Sequence, residues 1–421
     1  MSFSPSTHDG DPDDSREGTR ALVLQDQDIV CLSSIDWDFN WQGHQQIMSM
    51  LAEAGNRVLF VENTGVRRPR LDELSRIRHR FARWRRSPGG FRQEAPNLHV
   101  FSPLIVPWPY SRVARRINRA LLLWAIRRWM RRMKFRTPIV WTFLPTPLTR
   151  EVLWALAPQL SIYYCVDDLA SSSPAARRIR RTEERLFGEV DLVFVTAENL
   201  RTLALSFSDR VHVFPFGVDY PPFEAARTDG STPPADLAVL PRPVVGYLGA
   251  IHRWIDQALL AETARRLPEV TFALVGPRHT EVGLLAGCAN VRFLGSCSHA
   301  EVPRYLKAFD VALIPYRLTE YTASVYPTKL NEYLAMGLPV VATALPEIVR
   351  FNAEYGNVVT VGGTTDEFVA GVRAALAASR PVEIARRIAV AQTNDWKARV
   401  AAMSALIEAR LAQRRRSAET G

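Results

Sequence analysis

Lys329 and Glu332 lie three residues apart in VYPTKLNEYLAMGLPVV (325–341), and that spacing puts both charges on one helix face. Pro327 opens the predicted helix, and Gly337 and Pro339 close it ahead of the strand Val340-Val341-Ala342. On spacing alone the two read equally well as an exposed ion pair, worth roughly 0.2–0.5 kcal/mol. The flanking segments favour chemistry. Apolar DVALIPY (310–316) before and LPVVATA (338–344) after put the pair at the carboxyl edge of a buried sheet, where a helix start favours an anion. There Lys329 offers a point charge to a diphosphate, and Glu332 can accept from two adjacent ribose hydroxyls. The backbone of Thr328 and Leu330 in the first turn completes that side. Two further stretches point the same way. VVGYLGA (244–250) ends a strand in an open loop at Gly249, with Arg253 just beyond, and Gly295 in FLGSC (293–297) lets a strand end offer backbone groups to a nucleobase.

These residues need a sheet to hold them. DIVCLSS (28–34), a helix over 43–56 and RVLFVEN (57–63) form a β-α-β unit whose continuous apolar strands imply a parallel sheet covered on both faces. PIVWTF (138–143), LSIYYCV (160–166), a helical stretch over 174–188, DLVFVT (191–196) and RVHVFPFGVD (210–219) extend it. The Pro-rich segment 220–243 has linker composition. A second series follows, with strands at 243–250, 270–277, 290–296, 310–316 and 356–363. The predicted layout is a disordered tail (1–26), a first doubly wound domain (27–218), a linker (219–243), a second doubly wound domain (244–380) and C-terminal helices (381–421) that cross back to the first domain. Ligands of such sheets bind outside the carboxyl ends of the strands, so two of them facing each other define a cleft.

At 421 residues, 47% hydrophobic and 23% charged, the chain has ordinary globular composition. No apolar run reaches the ~18 residues of a membrane span, and the polar, acidic start does not read as a signal peptide. Cys31, Cys165, Cys288 and Cys297 form no CxxC, as expected of reduced cytoplasmic thiols. The net charge of +10 is unevenly placed: residues 66–136 hold 20 Lys or Arg against 3 Asp or Glu, so the remainder is negative. In the segment 112–135, Ile117, Leu121, Trp124 and Ala125 share one face and Leu122, Ile126, Trp129 and Met133 another, with arginines over the rest. One apolar face must cover the sheet. The remaining basic and aromatic surface of 67–136 suits an anionic membrane. The alternative is a solvated charged face.

VVGYLGA, FALVGP, VRFLGSCSHAEVPRYLKAFDVALIPY and PTKLNEYLAMGLPVVAT together resemble the donor half of GT-B glycosyltransferases, specifically the family 4-like, group 1 bacterial enzymes. WDFNWQGHQQIMSMLAEAGNRVLFVEN, IYYCVDDLASS, EVDLVFVTAENL and FPFGVD are similar to the polysaccharide-assembly branch of that group. The resemblance implies two Rossmann-like domains facing a cleft, a nucleotide-diphosphate sugar as donor, and an acceptor glycan that is lipid-linked at the cytoplasmic membrane face. It gives Glu332 the ribose, and Lys329 and Arg253 the diphosphate. Ser324 stands eight residues before Glu332, where the family often has a second glutamate that touches the donor sugar.

On the acceptor side, YYCVDDLASSS (163–173) ends an apolar strand in two carboxylates. Asp167 takes the place of a family histidine and could serve as general base if the reaction inverts; equally, Asp167 or Asp168 caps the following turn. Asp38, Trp41, Gly43 and His44 in the loop after the first strand are expected on the same side, with Asp168, while a lone loop histidine is often simply solvated. Asp36-Trp37-Asp38 matches the DxD of metal-dependent transferases of a different fold, so neither metal nor cofactor is expected. Other classes remain: a nucleotide-sugar hydrolase or epimerase of the same fold, an inactive scaffold, and a nucleic-acid binder suggested by the pI of 9.7. The one-sided charge argues against the last, and no nucleic acid partner is expected.

Overall fold

The computed structural model describes residues 23–38, 41–65, 88–108, 110–173, 176–230, 232–377 and 380–419. The expected tail and the basic segment 67–86 lie outside them, except that Leu24 is buried and its carbonyl accepts a hydrogen bond from Asn56. The first domain therefore begins before residue 27.

Eight strands build the first sheet: β1 (Asp28–Leu32), β2 (Arg57–Val61), β3 (Phe91–Ala95), β4 (Leu98–Phe101), β5 (Ile139–Thr142), β6 (Leu160–Cys165), β7 (Leu192–Val195) and β8 (Val211–Val213). Their order is β3-β4-β2-β1-β5-β6-β7-β8, parallel except for β3 against β4. β1, β5, β6 and β7 are buried along their whole length, as strands covered on both faces must be. The strand expected over 210–219 shortens to three residues, because Pro215 and Gly217 interrupt the ladder. Helix α1 (Gly43–Glu53) follows β1. On the other face α2 (Arg112–Arg132), capped by the Ser111 hydroxyl, packs with α3 (Pro147–Ala155). Helices α4 (Arg180–Glu189) and α5 (Glu198–Leu205) flank β7.

The expected linker is largely helical. Tyr220–Thr228 forms α6, whose Tyr220, Phe223 and Ala226 are buried, and Lys307 bonds Asp229 just after it. The Pro-Ala composition that suggested a flexible link instead supplies Pro at a helix start and an apolar face.

The second sheet holds β9 (Val244–Leu248), β10 (Thr271–Val275), β11 (Val291–Gly295), β12 (Val311–Ile314), β13 (Val340–Thr343) and β14 (Val359–Gly362). All its pairs are parallel, in the order β11-β10-β9-β12-β13-β14. The chain reverses its direction of winding between β9 and β12, the crevice where such sheets bind ligands. Helix α7 (Lys329–Ala335) connects β12 to β13.

Past the sheet, α8 (Pro381–Thr393) lies on the second domain, where Arg387 donates to the Gly337 carbonyl at 3.1 Å. The chain then returns. Val218 N donates to Asn394 O and Trp396 N to Val218 O, both at 3.0 Å, and α9 (Trp396–Glu419) reaches the first domain, where Arg414 pairs with Asp191 at 2.6 Å. One apolar cluster runs from the first sheet through Phe214, Phe216 and Val218 into the second domain and α9, and a separate one fills the space between the first sheet and α2–α4.

Candidate active site

Lys329 and Glu332 do not form a surface ion pair. Their helix, α7, begins at Lys329, so Pro327 stands before the cap rather than in the first turn. The Lys329 side chain is 7% exposed. Its Nζ donates to the Tyr316 hydroxyl at 2.6 Å and lies 5.2 and 5.1 Å from the ring centres of Tyr247 and Tyr316. A buried ammonium is stable only when partnered, and two aromatic faces and a phenol partner it here. Glu332 makes no ion pair with any described residue; burial pushes its carboxyl up to about 7, against the pull of the Lys329 charge. The site thus holds a fixed cation and a carboxyl poised near neutrality.

The glycine loop closes over Lys329. Gly249 has φ +144°, and a Cβ there would lie 3.0 Å from the Lys329 Cε. Tyr333 in the same helix accepts from Leu248 N at 3.0 Å and so pins the end of β9. Gly246 serves packing inside the strand, since a Cβ there would sit 2.1 Å from the Phe309 ring. Gly276, in the FALVGP stretch, has φ +147°, and a Cβ there would meet the Gly249 carbonyl at 2.0 Å. Its N–H donates to Gly295 O at 2.6 Å, tying the ends of β9, β10 and β11 together. Gly295 itself is open, with φ +73°. Cys297 feels the Glu332 charge, so this strand end adjoins the carboxylate.

Other expected donor residues divide. Leu330 is fully buried and its N–H donates to Pro327 O, so it packs the core and offers no free donor. Thr328 is partly buried at the cap. Ser324 is buried in the short turn Thr322–Ser324. The exposed Arg253 reaches across the cleft to the Ser172 carbonyl of the first domain.

The two neighbouring aspartates have separate roles. Asp168 caps the turn Leu169–Ser172 through Ser171 N and pairs with Arg180 at 2.8 Å. Asp167 instead lies near Tyr321 of the second domain, whose phenol favours its ionised form. Burial pushes Asp167 up to about 7; the nearby Tyr321 phenol lowers it and the Asp168 charge raises it. Behind them Glu183, bonded to the Tyr163 hydroxyl at 2.7 Å, is also raised by burial to about 7. Tyr316, Tyr321, Arg180 and Glu183 are not among the residues expected from sequence. Tyr321 in TEYTAS sits in no motif, and only the facing of the domains singles it out.

The loop after β1 departs most from expectation. His44 is in α1, 1% exposed, with Nε2 2.9 Å from the Ser34 hydroxyl and its ring 4.0 Å from Phe143. Burial lowers its pKa to about 3, so it is a neutral core histidine rather than a solvated one. Gly43 is buried where a Cβ would meet Phe216 at 2.9 Å and Trp396 at 3.0 Å, which gives it a packing role. Asp38 pairs with Arg92 at 3.2 Å, beside the buried Trp37. Trp41 does face the cleft: its ring stacks on His299 of the second domain at 5.9 Å.

Residues 242–378 match the family model described as glycosyl transferases group 1. The second domain is thus similar to the group 1 glycosyl transferases over its whole sheet. A relative assigned to teichuronic acid biosynthesis as a glycosyltransferase, TuaH of Bacillus subtilis (strain 168), is 30% identical over 198 residues, which covers 45% of this chain and 48% of that protein. The chain thus matches about half the length of this relative. Sucrose-phosphate synthase of Thermosynechococcus elongatus superposes with a TM-score of 0.68 at 17% identity, covering 92% of this chain and 100% of that one. Anabaena HepE in complex with UDP-glucose gives 0.61 at 15% identity, covering 91% and 100%. These likenesses establish the fold: two Rossmann-like domains in the GT-B arrangement, with the group 1 domain carrying Gly249, Lys329 and Glu332.

Proposed function

We propose that the chain is a glycosyltransferase that moves a sugar from a nucleotide-diphosphate donor to a glycan hydroxyl. One observation carries this reading: buried Lys329 stands under the Gly249 loop with Glu332 close enough to feel its charge, at the switch point of the domain that resembles group 1 enzymes. A diphosphate placed on Lys329 replaces the phenol and ring faces that hold the charge now, and the departing diphosphate is stabilised by a cation already in position. Arg253 joins it once released from Ser172. Glu332 accepts from the ribose hydroxyls. Gly295 and the backbone beside it meet the base, and Ser324 leaves room on the sugar side where a glutamate is common in the family. Asp167, across the cleft, accepts the acceptor hydroxyl's hydrogen bond. No metal or cofactor enters this scheme.

Polysaccharide assembly is the pathway class that the TuaH relative supports. A lipid-carried acceptor at the cytoplasmic membrane face fits α2, which turns Val113, Ile117, Leu121 and Trp124 outward among arginines while Leu122, Ile126 and Trp129 are buried. Among the described residues no helix is long and apolar enough to cross a membrane, so α2 would lie on a surface. Calorimetry and thermal shift with UDP, GDP, ADP and their common sugars test the core of the reading. At least one nucleotide should bind, and Glu332→Ala should weaken it tenfold or more, about 1.4 kcal/mol. Absence of binding by the whole panel, or unchanged affinity in Glu332→Ala, would overturn it.

A further inference from the structure

The carboxyl edge of the first sheet carries a buried carboxylate that the transfer scheme leaves unused. Glu62 directly follows β2 and is 0% exposed. Its Oε1 accepts from the Trp37 N–H at 3.1 Å and from Arg92 at 3.2 Å, and Arg92 also donates to the Ser102 hydroxyl at 2.9 Å. Oε2 has no hydrogen-bond partner among the described residues. Two residues on, Thr64 is 8% exposed and its Oγ1 is likewise unpartnered. Both residues line one small pit, walled by Leu122 and Ile126 of α2 and Val152 of α3, with room for about one water-sized group. The Ser33 and Thr149 hydroxyls on the same wall are already bonded, to Ile35 N and to Thr146. Buried polar atoms without partners are costly, so an occupant that satisfies both open atoms is favoured.

We propose that Glu62 and Thr64 form a subsite for one hydroxyl of the acceptor glycan. The inference rests on the reading of the chain as a glycosyltransferase. Charge is not what Glu62 lacks, since the Arg92 guanidinium already pairs with it; it lacks a neutral donor. A divalent cation needs about six or more oxygens, and this pit has two to offer. A water molecule in a protein interior makes about three hydrogen bonds, more than two open atoms can supply. An alcohol meets every demand. Its O–H donates to Glu62 Oε2, its oxygen accepts from the Thr64 hydroxyl, and its carbon lies against the apolar walls. Asp167 follows β6, and β6 stands three strand steps from β2 in the order β2-β1-β5-β6, which is about 14 Å at ~4.8 Å per step. No single sugar ring spans that distance, so the pit reads a sugar other than the one extended at Asp167.

The test uses the full chain with carbon-13 in its isoleucine δ1 methyls, and the methyl glycosides of glucose, galactose, mannose and N-acetylglucosamine as probes. Ile126 walls the pit, so its methyl signal, assigned by its loss in Ile126→Val, reports an occupant directly. At least one glycoside should move that signal saturably. Thr64→Val keeps the side chain's shape and removes the hydroxyl, and Glu62→Gln puts an amide donor where an acceptor oxygen stood. Each should weaken the binding about fivefold or more, while Thr64→Ser retains it. Thermal melts of Thr64→Val check that the fold is kept. A signal indifferent to every glycoside, or equal affinity in native and Thr64→Val proteins, overturns the inference and leaves the pit to water. No nucleotide enters the measurement, so the two readings fail separately. Nucleotide binding without glycoside binding leaves the proposed function standing and sinks the subsite. Glycoside binding in a protein that binds no nucleotide keeps a sugar site at Glu62 but overturns its acceptor role.

Discussion

At the scale of single residues, the site stores its chemistry in two carboxyls held away from their ordinary range. Asp167 and Glu332 each titrate near 7 because burial disfavours the charge. In the unfolded chain they lose their protons near 4, so between about pH 4 and pH 7 the folded protein binds more protons than the unfolded one. Stability contributed by these groups therefore falls as pH rises through that window. Asp167→Asn and Glu332→Gln should raise the melting temperature more at pH 8 than at pH 5, because the native side chains are protonated at the lower pH and already resemble the amides. Thermal melts at the two values check this. Asp167→Asn should leave UDP affinity intact while removing the rise of transfer through about pH 7. The gain in stability and the loss of function would come from the same atoms, as is common where a site is kept under electrostatic load.

Elements explain what can and cannot be read from sequence. The strands are legible because a doubly covered strand is a continuous apolar run, and YYC, VFV and VALI announce themselves. Lys329 and Glu332 are legible from their place between two such runs. Tyr321 is not, because its importance lies in a partner about 150 positions away, and one-dimensional spacing carries no such facing. His44 departs from expectation for a related reason: α1 starts one residue before it and turns its ring onto Phe143. Both faces of α2 are apolar in sequence, and packing decides between them. Trp124 is 64% exposed, whereas Ile126 is fully buried. If the outward stripe enters a lipid surface, Leu121→Glu with Trp124→Glu should sharply reduce co-sedimentation with phosphatidylglycerol vesicles while leaving the melting temperature unchanged. Each flanking basic residue contributes about 1 kcal/mol to such binding at an anionic surface. Equal sedimentation of variant and native protein would reduce the stripe to ordinary exposed side chains.

Over the whole molecule, two crossings link the domains. Phe216–Val218 and Asn394–Trp396 run side by side and bond each other, with Trp396 wedged where Gly43 and Gly217 leave no room for a Cβ. Paired crossings of this kind allow rotation about one line and resist sliding. Among the described residues, contacts beyond that line include Glu320 on Ser171, Arg253 on Ser172, Asn199 on Ala323 and the Trp41 ring on His299. Another is Glu347, whose carboxylate accepts the Glu198 N–H at 3.0 Å, at the start of α5, where no side chain of the first domain caps the helix. A helix whose cap is lodged in the other domain is bared each time the two part. The Glu198 amide thereby becomes a clock for cleft opening. Its hydrogen exchange should track how often the hinge swings, and it should slow when UDP holds the halves together; exchange that ignores the nucleotide would mean the lips separate without regard to what lies between them.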